Sequence, residues 1–246
     1  MYVHDIHVLY YFFIGLLGIF VGQFLDYANS RLANHKKIFC KELFKQYIPN
    51  LKINSKIIYP MAMIYVALLY FYGWQVKLLE YLILTPMFLS AFIIDYRKQI
   101  IPNRLNLSIF EVGLIFAFIY GLGNFHILLD KLIGLCIGGG IFLIITLIGG
   151  LIAGKEAMGF GDVKLMASLG LIFGSMNTVI ISVLAFLIGA IISIILLITK
   201  IKKTDEYIPF GPFIIISVFC VMFIPTSWLI FALLKIFTLG MYKEEI

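Results

Sequence analysis

Charge is scarce in this chain. Asp, Glu, Lys and Arg make up 13% of its 246 residues, about half the share of an ordinary soluble domain. Too few charged side chains are present to cover a water-facing surface, so a soluble globular protein is excluded. Cysteine is equally sparse: Cys40, Cys136 and Cys220 are an odd number with no CxxC pair, which excludes a disulfide framework and predicts no metal site. Acids are the rarer charged class, 13 against 19 basic residues, leaving a net charge of +6. What fills the gap is apolar. The hydrophobic share is 62%, and at about 20 apolar residues per membrane span it sets a ceiling of about seven to eight helices. Disordered, collagen-like and secreted disulfide-rich classes are excluded with it.

Apolar runs fall near 8–28, 57–72, 78–94, 107–122, 132–153, 165–175, 178–199 and 212–237. Backbone polar groups cannot stay unpaired in lipid, so each run is expected to be helical. The fold class predicted is all-α, a polytopic membrane protein of about eight transmembrane helices, forming a single membrane-embedded domain over 1–246. The first run has no basic segment before it and is followed directly by Asp26, Tyr27 and Asn29; it reads as a retained helix rather than a signal peptide. Glycines at 134, 138, 139, 140, 149 and 150 are expected to let helices approach closely.

The basic residues set the orientation. Fifteen of the nineteen lie on four alternate loops, 29–56, 95–106, 153–164 and 200–211, leaving Lys77, Lys131, Lys235 and Lys243 for the other side. Positive loops remain in the cytoplasm, so the basic loop 29–56 is expected inside and both termini outside. Topology and lipid headgroups account for the basic excess. No nucleic acid partner is expected, because the charges do not gather on one face.

Acids near the apolar runs are the candidates for chemistry, since charge at membrane depth is costly and faces polar cavities. Asp95 ends the third run in AFIIDYRKQIIPNRLN, and Asp162 opens the sixth in AMGFGDVKLMA. By the orientation above both lie at the cytoplasmic edge. Two aspartates in a partly dry pocket share one proton, because both cannot ionise cheaply there. The ionised one can deprotonate an attacking water while the other donates to an amide carbonyl, with no metal or covalent nucleophile. Gly159 and Gly161 permit irregular backbone before Asp162 and close approach of another chain. Pro102, with Asn103, ends helical continuation after Asp95, so Tyr96 to Asn103 reads as a turn. Asp162 at a helix start sits at the positive end of the dipole, which assigns it the charge and Asp95 the proton.

These two segments resemble those of the prepilin leader peptidases, GxGD-type membrane aspartic peptidases. Ile208-Pro209-Phe210-Gly211-Pro212-Phe213 is similar to the family's proline-rich lead into its last span, and Gly18 to Asp26 (GIFVGQFLD) is similar to its first helix. The resemblance implies that Asp95 and Asp162 are the catalytic pair, with Gly159, Gly161, Lys164, Pro102 and Asn103 shaping the site. It implies cleavage of the basic leader of a type IV prepilin or pseudopilin at the cytoplasmic face of the inner membrane, without a cofactor.

Two departures argue against the N-methyltransferase activity of bifunctional members, which would require S-adenosylmethionine. Those members carry two zinc-binding CxxC pairs in the loop after the first span, where this chain has only Cys40; His35 is a poor supplement. Tyr59-Pro60-Met61-Ala62-Met63 is similar to a YPLVE stretch but has Met63 in place of its glutamate. Several readings stay open at this level. Lys164 either tunes the Asp162 charge or snorkels to the interface. Glu111 either lines the cavity or bonds a neighbouring helix; Gln23, Asp26 and Asn29 either line a polar cavity or cap the first helix. A transporter or proton relay built on paired acids, a presenilin-like protease cutting within a span, and a membrane methyltransferase without peptidase activity are the competing functions.

Overall fold

The computed structural model describes residues 2–3, 6–34, 55–154, 158–200 and 208–238. Most of the loop 29–56, including His35 and Cys40, lies outside the described residues, as do Lys155, Lys202, Lys203 and Lys243. Apart from a short antiparallel pairing of β1 (Tyr2–Val3) with β2 (Ile6–His7), the described chain is helical. The helices are α1 (Val8–Leu32), α2 (Ser55–Tyr72), α3 (Val76–Lys98), α4 (Asn103–Gly123), α5 (Phe125–Ala153), α6 (Phe160–Phe173), α7 (Ser175–Ile198), α8 (Gly211–Phe223) and α9 (Thr226–Phe237). It is an all-α membrane protein. Among the described residues, α1, α3, α4, α5 and α7 are long and apolar enough to cross a membrane, while α2, α8 and α9 are shorter apolar helices.

The expected count of eight crossings meets two local departures. The last apolar run is not one helix: it breaks between α8 and α9, where Ile224 is extended (φ −108°, ψ 130°) and Pro225 precedes Thr226. Proline excludes the α conformation from the residue before it and offers no amide to continue the ladder. The sixth run becomes α6, whose 14 residues reach about 21 Å, short of the roughly 30 Å of a bilayer core.

By contacts the chain divides into two compact units, Met1–Val112 and Gly113–Ile246. In the first, α1 packs on α2 through two glycines one turn apart. A Cβ on Gly18 would lie 2.7 Å from the Ala62 Cα, and one on Gly22 would lie 3.0 Å from the Ile58 Cα. Small residues at this spacing let two membrane helices meet backbone to backbone. Helix α3 and the first half of α4 belong to the same unit, and the C-terminal end of α3 is tied to that of α1: the Lys98 ammonium donates to the Ala33 carbonyl (2.8 Å) and to Asn34 Oδ1 (2.7 Å).

In the second unit α5 and α6 make an equally close contact. A Cβ on Gly138 would run into the Met166 carbonyl, and one on Gly170 into the Gly134 carbonyl. A Cβ on Gly139 would lie 3.2 Å from the Ala167 Cβ, whereas one on Gly140 would meet nothing within 4 Å, so the packing role expected for this cluster fails at Gly140. Helices α5, α7 and α8 are joined by a ring cluster in which Phe142, Phe186 and Phe210 lie 5.1–5.9 Å apart. Pro212, at the start of α8, is tolerated because the first turn has no amide to lose.

Pro86 interrupts α3 and leaves the Leu82 carbonyl without its helical donor. Tyr65 of α2, 2% exposed, supplies one: its hydroxyl donates to the Leu82 oxygen at 2.6 Å. Tyr65→Phe is therefore expected to destabilise the protein by about 1–3 kcal/mol, the cost of a buried acceptor left unmet, lowering the thermal unfolding midpoint in detergent. Adding Pro86→Ala, which restores an amide to the ladder, should recover most of the loss. Failure of the double variant to recover stability would show that the hydroxyl does not answer the proline.

Candidate active site

Asp95 lies in the last turn of α3, and only 3% of its surface is exposed. Its carbonyl accepts from the Gln99 amide at 2.8 Å. Gln99 takes the left-handed conformation (φ 55°) that stops the helix. The turn after Asp95 is therefore residues 99–102, shorter than the Tyr96 to Asn103 expected from the sequence. Tyr96, Arg97 and Lys98 stay helical because basic side chains in a last turn suit the negative end of the dipole. Pro102 is buried, and Asn103 is exposed at the start of α4.

Asp162 is 3% exposed and occupies the third position of α6. Its amide donates to the Gly159 carbonyl at 3.0 Å. Gly159 is the extended N-cap (φ −68°, ψ 136°), but Gly161 is helical. This corrects the expectation of irregular backbone at both glycines: only Gly159 is extended. Lys164 points outward and is exposed; its carbonyl accepts from the Ser168 hydroxyl at 2.9 Å.

The far end of α6 is held by two adjacent charged residues, Lys131, expected on the outer side from the charge distribution, and Asp130, for which the sequence suggested no role. The buried Lys131 ammonium donates to the Ile172 carbonyl at 2.5 Å and lies 5.1 Å from the Tyr120 ring. Asp130 accepts from the Ser175 amide at 3.3 Å and from its hydroxyl. A cation thus meets the C-terminal carbonyls of α6 and an anion the N-terminal amides of α7, each the sign its helix end favours.

Among the described residues, the buried acids are Glu80, Asp95 and Asp162. Glu80 was not anticipated, although an acid inside the run LLEYLIL was the signal. It lies fifteen residues before Asp95 on α3, about 22 Å away along the axis, beside Tyr81 and close to Lys77, whose ammonium sits over the Tyr72 and Tyr81 rings. That places it at the opposite end of the span from Asp95. Glu111 is exposed, so neither a cavity nor a packing role is seen for it. Met63 is 72% exposed on α2. Among the described residues, no three His, Cys, Asp or Glu side chains gather where a metal could be held.

Residues 82–194, which contain both aspartates, match the type IV leader peptidase family. The chain is 34% identical over 145 residues to a prepilin leader peptidase/N-methyltransferase of Aeromonas hydrophila, covering 59% of this chain and 48% of that one. It is 35% identical over 154 residues to the protein of the same description from Legionella pneumophila, 62% and 52%. For that of Escherichia coli it is 32% over 126 residues, 51% and 54%. The chain spans about half the length of these curated relatives. No solved structure matches it. The resemblance read from the two aspartate motifs therefore holds.

The α5 contact sets where α6 sits, and so where Asp162 sits within its unit. Gly170→Val forces a branched side chain into the Gly134 backbone and should cost about 1–3 kcal/mol or more, while Gly140→Ala should be neutral. Thermal unfolding of the two variants in detergent decides; equal midpoints would show that the glycine contact is not what holds α6.

Proposed function

We propose that this chain is a membrane aspartic endopeptidase that removes the leader peptide of type IV prepilins or pseudopilins at the cytoplasmic face of the inner membrane, using Asp95 and Asp162 as its acid and base. The observation that carries the reading is the burial of both acids, each 3% exposed, inside the segment that matches the leader peptidase family. The relatives' printed description, prepilin leader peptidase/N-methyltransferase, supports the substrate class. The distribution of Lys and Arg supports a cytoplasmic position for both acids.

The chemistry is that of one proton shared by two carboxylates. Asp162 stands in the first turn of α6, where the helix dipole stabilises negative charge; Asp95 stands in the last turn of α3, where the dipole opposes it. Asp162 accordingly holds the charge and takes a proton from water as the water oxygen bonds to the scissile carbon. Asp95 gives its proton to the carbonyl oxygen. Collapse of the tetrahedral species breaks the C–N bond, Asp95 recovers its proton, and Asp162 passes the one it gained to the leaving nitrogen. A prepilin is itself a single-span helix with its scissile bond at headgroup level, which requires no deep extraction of substrate. Gly159, Gly161, Pro102 and Asn103 shape the approach, and Lys164 flanks it. Methyl transfer from S-adenosylmethionine is left out of the reading, because Met63 replaces the expected acid and Cys40 has no partner cysteines in its loop.

Asp95→Asn and Asp162→Asn should each lower cleavage of a co-expressed prepilin by at least about 10³-fold while the protein still inserts, and mass spectrometry should find an unmethylated new amino terminus at the headgroup boundary. Cleavage should fall at both acidic and alkaline extremes, where the pair is doubly protonated or doubly ionised. Wild-type cleavage by either variant overturns the assignment. A cut within the substrate's span would favour a presenilin-like enzyme, and pH-driven flux without a peptide product would favour a proton relay.

A further inference from the structure

Between the inner ends of α1 and α3, within the first unit, lies a cavity of about 500 Å³ lined by Asp26, Asn29, Ser30, Ile94, Arg97 and Lys98, among others. Asp95 is not part of its lining. Asn29 is 4% exposed, and among the described residues neither its amide nitrogen nor its amide oxygen has a hydrogen-bond partner. A buried carboxamide with both ends unmet is costly and calls for a ligand that both donates and accepts. The cavity supplies charge of both signs around it. Arg97 and Lys98 are cations; among the described residues two of the three Lys98 donors are taken, by Ala33 and Asn34, which leaves one. Asp26 is the anion, and both α1 and α3 end here, so their carbonyl ends add negative potential. Ile93 and Ile94 give the cavity an apolar wall.

A soluble anion would answer Arg97 and Lys98 but not Asp26 or the isoleucines, and a simple cation would answer only Asp26. A phospholipid whose headgroup carries phosphate and a primary ammonium answers all of them. We propose that this cavity is a binding site for a phosphoethanolamine lipid headgroup. Its phosphate is held by Arg97, Lys98 and the Asn29 nitrogen, its ammonium by Asp26 and the Asn29 oxygen, and its first acyl carbons rest on Ile93 and Ile94. The site lies where two apolar helices end and basic residues begin, the depth at which a bilayer presents headgroups. It is independent of the hydrolytic reading, because binding involves no step of cleavage.

The test is native mass spectrometry of the full chain in detergent, titrated with phosphatidylethanolamine, phosphatidylcholine or phosphatidylglycerol. Phosphatidylethanolamine should be retained about tenfold better than the N-trimethylated lipid, which cannot donate to Asp26 or Asn29, in keeping with the strength of a hydrogen bond to a charged group. Asn29→Leu should remove most of that advantage, Arg97→Gln should lower retention of all three lipids, whose phosphate it holds, and Asp26→Asn should abolish discrimination against phosphatidylglycerol. Arg97 is exposed, so its variant keeps the test decisive even if Asn29→Leu does not fold. Equal retention of the ethanolamine and choline lipids, or undiminished retention in Arg97→Gln, overturns the proposal. Displacement of the lipid by equimolar inorganic phosphate would assign the site to free phosphate, and displacement by a basic leader peptide would assign it to substrate; either also overturns it.

Discussion

Backbone contact, rather than side-chain interlocking, holds α6. In lipid there is no hydrophobic gain from bringing two apolar helices together, so association relies on close approach and on polar groups with nowhere else to go. Gly134, Gly138 and Gly170 remove the side chains that would keep α5 and α6 apart. The pair Asp130 and Lys131, adjacent in sequence at the start of α5, then places opposite charges on the two helix ends that meet at Gly174. A helix of 14 residues is too short to be positioned by the bilayer, so it takes its position from α5. Asp162, ten residues before the Lys131-bound carbonyl of Ile172, is placed by a contact at the opposite end of its own helix.

Asp95 is positioned by a different device with the same logic. Helix α3 is interrupted by Pro86, and the Tyr65 hydroxyl meets the carbonyl that the proline strands. At its C-terminal end Lys98 reaches across to the carbonyl of Ala33, which caps α1. The first tie meets a carbonyl that would otherwise be orphaned in the helix interior, where an unmet group is costly; the second joins two helix ends at an exposed position. The scarcity of charge in the composition is thus matched by economy in its use: Lys98, Asp130 and Lys131 all sit on helix ends.

The sequence made much of this legible and hid the rest for identifiable reasons. Apolar runs located most helices, because a span leaves a long signal, and the two aspartates stood out against a background nearly free of acids. The break at Ile224–Pro225 was readable in principle, since a proline within an apolar run is a break signal, but hydropathy averages over it. The helical state of Gly161 and of Tyr96 to Lys98 was not readable: glycine and proline mark where a helix can end, while dipole and capping decide where it does. Glu80 was passed over because it lies inside an apolar run at the end remote from Asp95. The roles of Asp130 and Lys131 depend on the α6–α7 junction, which no local pattern announces.

For the proposed acid–base pair, a position at a helix end rather than mid-span bears on which acid holds the proton. A carboxylate in the middle of a helix feels little net dipole, so two such acids would differ only through their neighbours. Asp95 at a C-terminal turn and Asp162 at an N-terminal turn are biased in opposite senses by the backbone itself, about 0.3–1 kcal/mol at an exposed end and up to about 2 kcal/mol in partly buried geometry. Summed over both sites, the exposed-end values favour one arrangement of a shared proton over the other by about threefold to thirtyfold, since 1.4 kcal/mol is a factor of ten. The acid and the base would then be distinguished before substrate arrives, by helix direction alone, and exchanging their identities would require reversing a helix rather than changing a side chain.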